Sequence, residues 1–318
     1  MLDAMRMAVA SPPQPPPIQR KPEWLKVRAP GGPVYAELKQ RVRGLGLHTV
    51  CEEAQCPNIG ECWGGGTATL MLMGDVCTRG CRFCAVTHGR PPALDPAEPE
   101  NAAIATDKAG FTYVVLTSVN RDDLPDGGAA HFAATISAIK RRRPDILVEV
   151  LIPDFQGDAA ALEAVVDARP DVLAHNVETT RALTKTVRDA RADYDQSLAV
   201  LARARALAGA RGIRMLTKSS VMLGLGEPEA DVIATMRDLR AVECDVLTLG
   251  QYLRPSLRHL PVVEFVPPAR FAELRRVGES VLGFRYVAAG PLVRSSYRAG
   301  ELFIASMLRG AAAAPHAG

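Results

Sequence analysis

"TATLMLMGDVCTRGCRFCAV", residues 67–86, runs from a short apolar segment into three cysteines. Residues 67–74 read as a β-strand, and Cys77, Cys81 and Cys84 follow it in C-x3-C-x2-C spacing. The fold turns on whether this strand opens a series. It does: apolar and β-branched runs recur at 112–118, 146–152, 171–177, 214–223 and 245–252. Between them lie helical stretches at about 97–109, 128–142, 158–168, 193–209 and 228–241, the last introduced by "GEPEAD", a proline in a first turn followed by acids. Strands alternating with helices imply right-handed βαβ units around a parallel sheet. Six such units are two short of a closed eight-fold barrel, so the expected class is α/β, a partial (βα)6 TIM-like barrel. Parallel barrels place their chemistry at the C-terminal strand ends, and the cysteines follow the first strand at that end.

A second triplet precedes the strand. "CEEAQCPNIGECW", residues 51–63, holds Cys51, Cys56 and Cys62 in C-x4-C-x5-C spacing, so six of the seven cysteines fall within residues 51–84. Further upstream, residues 11–33 contain eight prolines and read as an extended arm, followed by a short helix at 34–44 that Gly44 and Gly46 end. The expected division is a Pro-rich arm at 1–33, an N-terminal extension with the first triplet at 34–66, a barrel at 67–290 and a C-terminal segment at 291–318.

Composition narrows the classes. With 318 residues, 47% hydrophobic and 23% charged, the chain has the balance of a soluble globular protein with a sizeable core. A net charge of +3, with no basic block interleaved with aromatics, argues against nucleic acid. No apolar run approaches the roughly 18 residues of a membrane span, and "MLDAMRMAVA" runs straight into proline without a signal-peptide core. The expected location is the cytoplasm, where clustered thiols mean metal or catalysis more often than disulfides.

Each triplet is one ligand short of a closed four-ligand metal site. Zinc could close the second with His88, as a structural site. Alternatively, three thiolates hold a four-iron cluster with one iron open to a substrate or cofactor.

"CTRGCRFC", with Phe83 before its third cysteine, resembles the radical S-adenosylmethionine (SAM) signature, in which the open iron chelates SAM and an electron cleaves its sulfonium to a 5′-deoxyadenosyl radical. The upstream triplet narrows the resemblance to lipoyl synthases. "TSVNRDDLPDGGA", "HNVET", "VMLGLGE", "QYLRPS" and "GPLVRSSYRAG" follow in that family's order, and the likeness covers roughly residues 45–300. The resemblance implies two 4Fe–4S clusters. Cys77, Cys81 and Cys84 would hold the SAM-binding one. Cys51, Cys56 and Cys62 would hold an auxiliary one whose fourth ligand is a serine of "RSSY", by position Ser296, with Ser295 as the alternative. A serine oxygen is a harder, more labile iron ligand than a thiolate, suited to a cluster that surrenders sulfide. Because this serine lies about 230 residues beyond the first triplet, N-terminal and C-terminal extensions are expected to cover the barrel mouth. Arg294 beside it would gate the iron–oxygen bond, or form a surface ion pair.

Other motif residues carry two readings. Ser118, Asn120, Arg121 and Asp122 line the SAM or substrate pocket, or form a polar loop ending in a turn at 125–128. Asn176 and Glu178 meet SAM, or are satisfied core polars; Arg188 and Lys218 are further SAM-side candidates. "GLGE" (224–227) permits close approach of a ligand, or is a strand-to-helix turn. "KRRRP" (140–144) attracts an acidic partner, or is a solvated helix end. Cys244 reads as a core thiol, and residues 309–318 as a frayed tail.

The activity implied by the resemblance is insertion of two sulfur atoms at carbons 6 and 8 of a protein-bound octanoyl-lysine, consuming two SAM molecules, with the auxiliary cluster as sulfur donor. The implied partners are octanoylated lipoyl carrier domains of 2-oxoacid dehydrogenase complexes or the glycine-cleavage H protein. An electron donor such as ferredoxin or flavodoxin and an iron–sulfur carrier for cluster rebuilding complete the set. A biotin-synthase-like sulfur inserter and a non-catalytic zinc scaffold are the rival readings.

Overall fold

A computed structural model describes residues 20–27, 31, 33–53, 56, 58–64, 69–296 and 304–308. Most of the Pro-rich arm, residues 67–68 of the first expected strand and the tail at 309–318 lie outside the described residues.

All six expected strands are present. In chain order the strands are β1 (His48–Thr49), β2 (Thr69–Leu72), β3 (Val76–Cys77), β4 (Thr87–His88), β5 (Tyr113–Ser118), β6 (Leu147–Leu151), β7 (Val172–Ala174), β8 (Leu216–Leu223), β9 (Val246–Gln251) and β10 (Tyr286–Gly290). The helices are α1 (Pro33–Gly44), α2 (Val50–Glu53), α3 (Ile59–Gly64), α4 (Glu98–Lys108), α5 (Ala129–Arg142), α6 (Ala159–Asp167), α7 (Thr184–Val187), α8 (Tyr194–Ala210), α9 (Glu229–Ala241) and α10 (Pro268–Arg276). The main sheet runs β1-β2-β5-β6-β7-β8-β9-β10, with every pairing parallel except β1 against β2. β10 adds a seventh parallel strand to the six expected. The sheet is an open partial barrel, whose order ends at β1 and β10.

Local chemistry explains the element boundaries. Asp158 accepts from the amides of Ala160 and Ala161 to start α6, and Asp193 accepts from that of Gln196 to start α8. Glu98 and Glu100 occupy the first turn of α4, and Lys140, Arg141 and Arg142 the last turn of α5, each matching the helix dipole. Side-chain alternation splits each strand between two cores. Val114, Leu116, Val148 and Val150 pack outward among residues of α4, α5 and α6, while Leu247 and Leu249 pack with α9 and α10. Tyr113, Val115, Leu147, Val172, Leu216, Val246 and Tyr286 face inward and pack with Ile304.

The C-terminal segment follows the opening of the barrel. At the mouth end, a Cβ on Gly250 would lie 2.1 Å from the carbonyl oxygen of Val293, so glycine lets this segment cross β9. The helical residues 304–308 pack instead among the first residues of the strands, at the opposite end. The segment thus reaches the mouth as expected and also closes the bottom, where Leu147, Leu216 and Tyr286 would otherwise face solvent.

Candidate active site

The C-x3-C-x2-C loop leaves the end of β2 and is fastened on every side. The short parallel pair of β3 and β4 closes its base. The sulfur of Cys77 accepts from the amides of Arg79 (3.4 Å) and Asn120 (3.3 Å), and that of Cys81 from the amide of Asp189 (3.3 Å). The carbonyl of Cys84 pairs with Nε2 of His259 (2.9 Å), whose Nδ1 meets Ser256 Oγ (2.9 Å). The end of the "QYLRPS" motif thus acts on the cysteine loop through His259.

A buried arginine forms the centre of this anchorage. Arg79 donates two hydrogen bonds to Asp122 (2.9 and 2.8 Å) and two to Asp154 (2.7 Å each). Its side chain is 3% exposed and that of Asp154 is 0% exposed. Burial opposes the charge on each, but the two carboxylates raise the guanidinium, and Arg79 holds Asp154 below the ordinary carboxylate value. Thr78 Oγ1 donates to Asp122 (2.9 Å), and Arg191 donates to the Thr78 carbonyl (2.6 Å). Asp189, held low by its bonds from Arg191, accepts from the amide of Gly80 (2.8 Å).

The three thiols suit a cationic iron centre. Burial pushes Cys84 up to about 12 and Cys81 up to about 11, and Cys84 also feels the sulfurs of Cys81 and Cys77. Bound iron reverses that penalty. Among the described residues, the only three His, Cys, Asp or Glu ligands within 4.8 Å of one another are His48, Glu53 and Asp75. Thiolates on one zinc ion, with bonds of about 2.3 Å, would lie about 3.8 Å apart. Neither triplet has all three of its sulfurs within 4.8 Å of one another, a wider setting than that.

Most SAM-side candidates gather beside this loop. Glu178 and Arg188 lie close enough to Cys81 to act on its charge. Asn176 Nδ2 donates to Glu178 (3.1 Å), and Arg188 to Ser197 Oγ (2.9 Å). Burial raises the Glu178 carboxyl against the pull of Arg188 and Asn176. Glu178 has φ of 67°, a left-handed conformation that side chains seldom take and that often marks functional positions. Ser118 Oγ, Asn176 Oδ1 and His175 Nε2 are buried without a partner. Such orphaned atoms fit a polar cofactor lying over these strand ends. Asn120 adds its amide to Cys77 and its carbonyl to Thr78.

Three candidates are engaged elsewhere. The Asp122 carboxylate is taken by Arg79 and Thr78, so its work is to hold the loop. Lys218 points into the barrel and donates to Glu149 (2.7 Å), which also accepts from Tyr113. Arg121 is likewise turned to protein partners, Asp123 and the Pro92 carbonyl. Sequence reasoning missed Arg79, Asp154, Asp189 and His259. A charge inside the three-residue spacer of the second cysteine triplet was the available signal for Arg79.

Against the first triplet lies the C-terminal segment. Cys51 on α2 and Cys62 on α3 are buried, and Cys56 lies between them. Asn58 Nδ2 donates to the Leu292 carbonyl (2.6 Å), and Thr69 Oγ1 to Ser296 Oγ (2.8 Å). Arg294 donates to the Val293 carbonyl (2.6 Å); burial lowers its guanidinium and Cys56 opposes that shift. It is therefore not a surface ion pair. Leu292, Arg294 and Ser296 thus set the C-terminal segment against Asn58, Cys56 and the start of β2.

The remaining motifs take their plainer readings. Gly224, with φ of 98°, makes its close approach to the Glu264 carbonyl, while Glu227 accepts from the amides of Gly224 and Leu225, so "GLGE" is a turn. Lys140, Arg142 and Arg143 pair with Asp171, Glu100 and Asp145. Cys244 is fully buried, its thiol pushed up to about 12 by burial. Among the described residues no helix is long and apolar enough to cross a membrane.

Comparison with known proteins agrees with this geometry. The radical SAM superfamily matches residues 71–239, and the N-terminal domain of lipoyl synthase of that superfamily matches residues 14–56. The lipoyl synthase of Anaeromyxobacter dehalogenans is 61% identical over 90% of this chain and 95% of its own length. That of Sorangium cellulosum is 57% identical over 93% and 82%, and the chloroplastic lipoyl synthase of Chlamydomonas reinhardtii 58% over 92% and 67%. Among solved structures, the FeFe-hydrogenase maturase HydG from Carboxydothermus hydrogenoformans shares the fold, with a TM-score of 0.56 at 15% identity over 68% of this chain and 52% of its own. With both cysteine triplets, the serine segment and relatives that match nearly end to end, the chain belongs to the lipoyl synthase family of radical SAM enzymes.

Proposed function

We propose that the chain inserts two sulfur atoms at carbons 6 and 8 of an octanoyl chain amide-linked to a lysine of a carrier protein. The observation that carries this reading is the C-terminal segment with Arg294 and Ser296 lying against the stretch that bears the first triplet, Arg294 beside Cys56 and Ser296 on Thr69, next to a barrel whose mouth holds the second. Cys77, Cys81 and Cys84 would hold one 4Fe–4S cluster; Cys51, Cys56 and Cys62 with Ser296 would hold the other. When bound, the clusters and SAM would supply one-electron cleavage of the SAM sulfonium, hydrogen abstraction from unactivated carbon, and sulfide for insertion.

The protein's part is to bind, orient and exclude water. Ser118, Asn120, Asn176, Glu178 and Arg188 form the SAM face, supported by the orphaned oxygens of Ser118 and Asn176. Arg79, Asp122 and Asp154 hold the second triplet in place, and Lys218 with Glu149 fixes the barrel interior below. Arg294 places a desolvated positive charge beside the first triplet. We assign the arm to 1–33, the first-triplet extension to 34–66, the barrel to 67–290 and the serine segment to 291–318. The substrates are lipoyl carrier domains of 2-oxoacid dehydrogenase complexes or the glycine-cleavage H protein. A ferredoxin or flavodoxin supplies electrons, an iron–sulfur carrier rebuilds the auxiliary cluster, and the enzyme works in the cytoplasm.

The test is anaerobic turnover on an octanoyl-lysine peptide after reconstitution. The reading requires lipoyl product and about eight irons and eight sulfides per chain, the content of two four-iron clusters. Stoichiometric zinc without labile sulfide would overturn it.

A further inference from the structure

Thr69 occupies a position that no role described above explains. It is the first residue of β2 and pairs in register with Val115, which faces the barrel interior, so Thr69 faces inward too. Thr69 is 5% exposed, and its hydroxyl donates to Ser296 Oγ across 2.8 Å, joining residues 227 positions apart. Ser295, the alternative serine, makes no side-chain hydrogen bond among the described residues. Thr69 follows Cys62 by seven residues, so one stretch of chain carries both a first-triplet cysteine and the partner of the serine.

We infer that Thr69 is a positioning residue that sets how firmly Ser296 holds iron. This rests on the reading of Ser296 as the oxygen ligand of the first-triplet cluster. A serine ligates as its alkoxide, and a donor aimed at that oxygen stabilises the anion more than the neutral hydroxyl, because hydrogen bonds to charged oxygen are about twice as strong. The same bond keeps a detached serine facing the site rather than turned into solvent. Both effects favour ligation. A β-branched residue suits the task because its χ1 is stiff and the strand fixes its backbone. Thr69 thus strengthens a ligand that is intrinsically weaker than a fourth thiolate.

The experiment uses the full-length chain with Cys77, Cys81 and Cys84 replaced by Ala, so that only the auxiliary cluster is present. In that background the loss of one iron is followed anaerobically with a ferrous chelator, and the three-iron product by electron paramagnetic resonance after mild oxidation. Thr69→Val, which keeps shape and removes the donor, should lose the iron about fivefold to tenfold faster, the factor expected from the difference between a charged and a neutral hydrogen bond. Thr69→Ala serves in its place if Thr69→Val fails to assemble. Thr69→Ser should restore the parent rate. In a Ser296→Ala background, Thr69→Val should add nothing further.

Parent-like iron loss in both hydroxyl-free variants, with acceleration in Ser296→Ala, would overturn the role of Thr69 while leaving the serine assignment standing. Acceleration in Thr69→Ser as large as in Thr69→Val would show that packing matters rather than the hydroxyl, and would also overturn it. Parent-like loss in Ser296→Ala would overturn the serine reading, and the inference with it.

Discussion

Replacing Arg79 with methionine should destabilise the protein and loosen the second cysteine loop together. The side chain of Arg79 is 3% exposed, and it is shared between Asp122 and Asp154, which receive four hydrogen bonds from it. Methionine fills much of the volume but leaves Asp154, itself 0% exposed, with only the amide of Gln156. Removing one member of a buried charge pair costs about 3–5 kcal/mol, because the other charge is left unpaired. With a urea slope of about 3 kcal/mol per molar for a chain this size, the unfolding midpoint should fall by roughly 1 M or more. The pH dependence has a definite sign. In the parent, Asp154 lies below its ordinary value, so its pair contributes stability above the unfolded pKa of about 3.9 and loses it as pH falls through the lower folded value. In the variant, burial without the guanidinium raises Asp154, so its folded state takes up a proton first. The gap between the two proteins should narrow as pH falls from 7 toward about 4. Anaerobic urea titrations at several pH values, read by intrinsic fluorescence, measure this. Arg79→Met/Asp154→Asn should recover part of the loss. A shift under about 1 kcal/mol, far below the cost of breaking a buried pair, or no recovery in the double variant, would refute the reasoning.

Three further outcomes are expected. Asn176→Ala should weaken SAM binding about tenfold, the worth of one hydrogen bond to a charged group, with cluster content unchanged; equilibrium dialysis with labelled SAM reads it. Gly250→Ala should displace residues 291–296, because its Cβ would lie 2.1 Å from the Val293 carbonyl oxygen, and overpacking of this kind costs about 1–3 kcal/mol. Its lipoyl yield should fall while SAM cleavage persists. Replacing Cys77, Cys81 and Cys84 with Ala should reduce iron from about eight to about four per chain and abolish SAM cleavage, as measured by iron analysis and 5′-deoxyadenosine formation.

The barrel was legible because its six central strands are apolar runs with helical stretches between them, and period alone separates the two. β10 was not, since "YVAAG" is short, ends in small residues, and follows a helix whose "PPARFAELRR" carries four charges and two prolines in ten residues. β1 has two residues and takes its identity only from pairing with Met71 and Leu70. The two cysteine triplets were legible from spacing alone, since no tertiary information is needed to recognise C-x3-C-x2-C. Asp122 and Lys218 have protein partners that the sequence did not disclose, for one shared reason. A polar residue near a strand end looks like a ligand contact until its partner is known, and the partners Arg79 and Glu149 are 43 and 69 residues away. Glu149 carried a usable signal: a lone carboxylate inside "ILVEVLI" needs a buried partner, and on the inward face that partner is Lys218. His259 had none, because what it holds is a backbone carbonyl.

The central claim is that the two triplets divide the work, the second cleaving SAM and the first, with Ser296, supplying sulfur. Replacing Cys51, Cys56 and Cys62 with Ala in the otherwise complete enzyme tests it most directly, in a single anaerobic turnover on an octanoyl-lysine peptide with 5′-deoxyadenosine and thiolated peptide measured together. 5′-Deoxyadenosine should form at close to the parent rate, with no lipoyl product. Lipoyl product from that variant would contradict the claim, because the sulfur would then come from somewhere other than the first triplet.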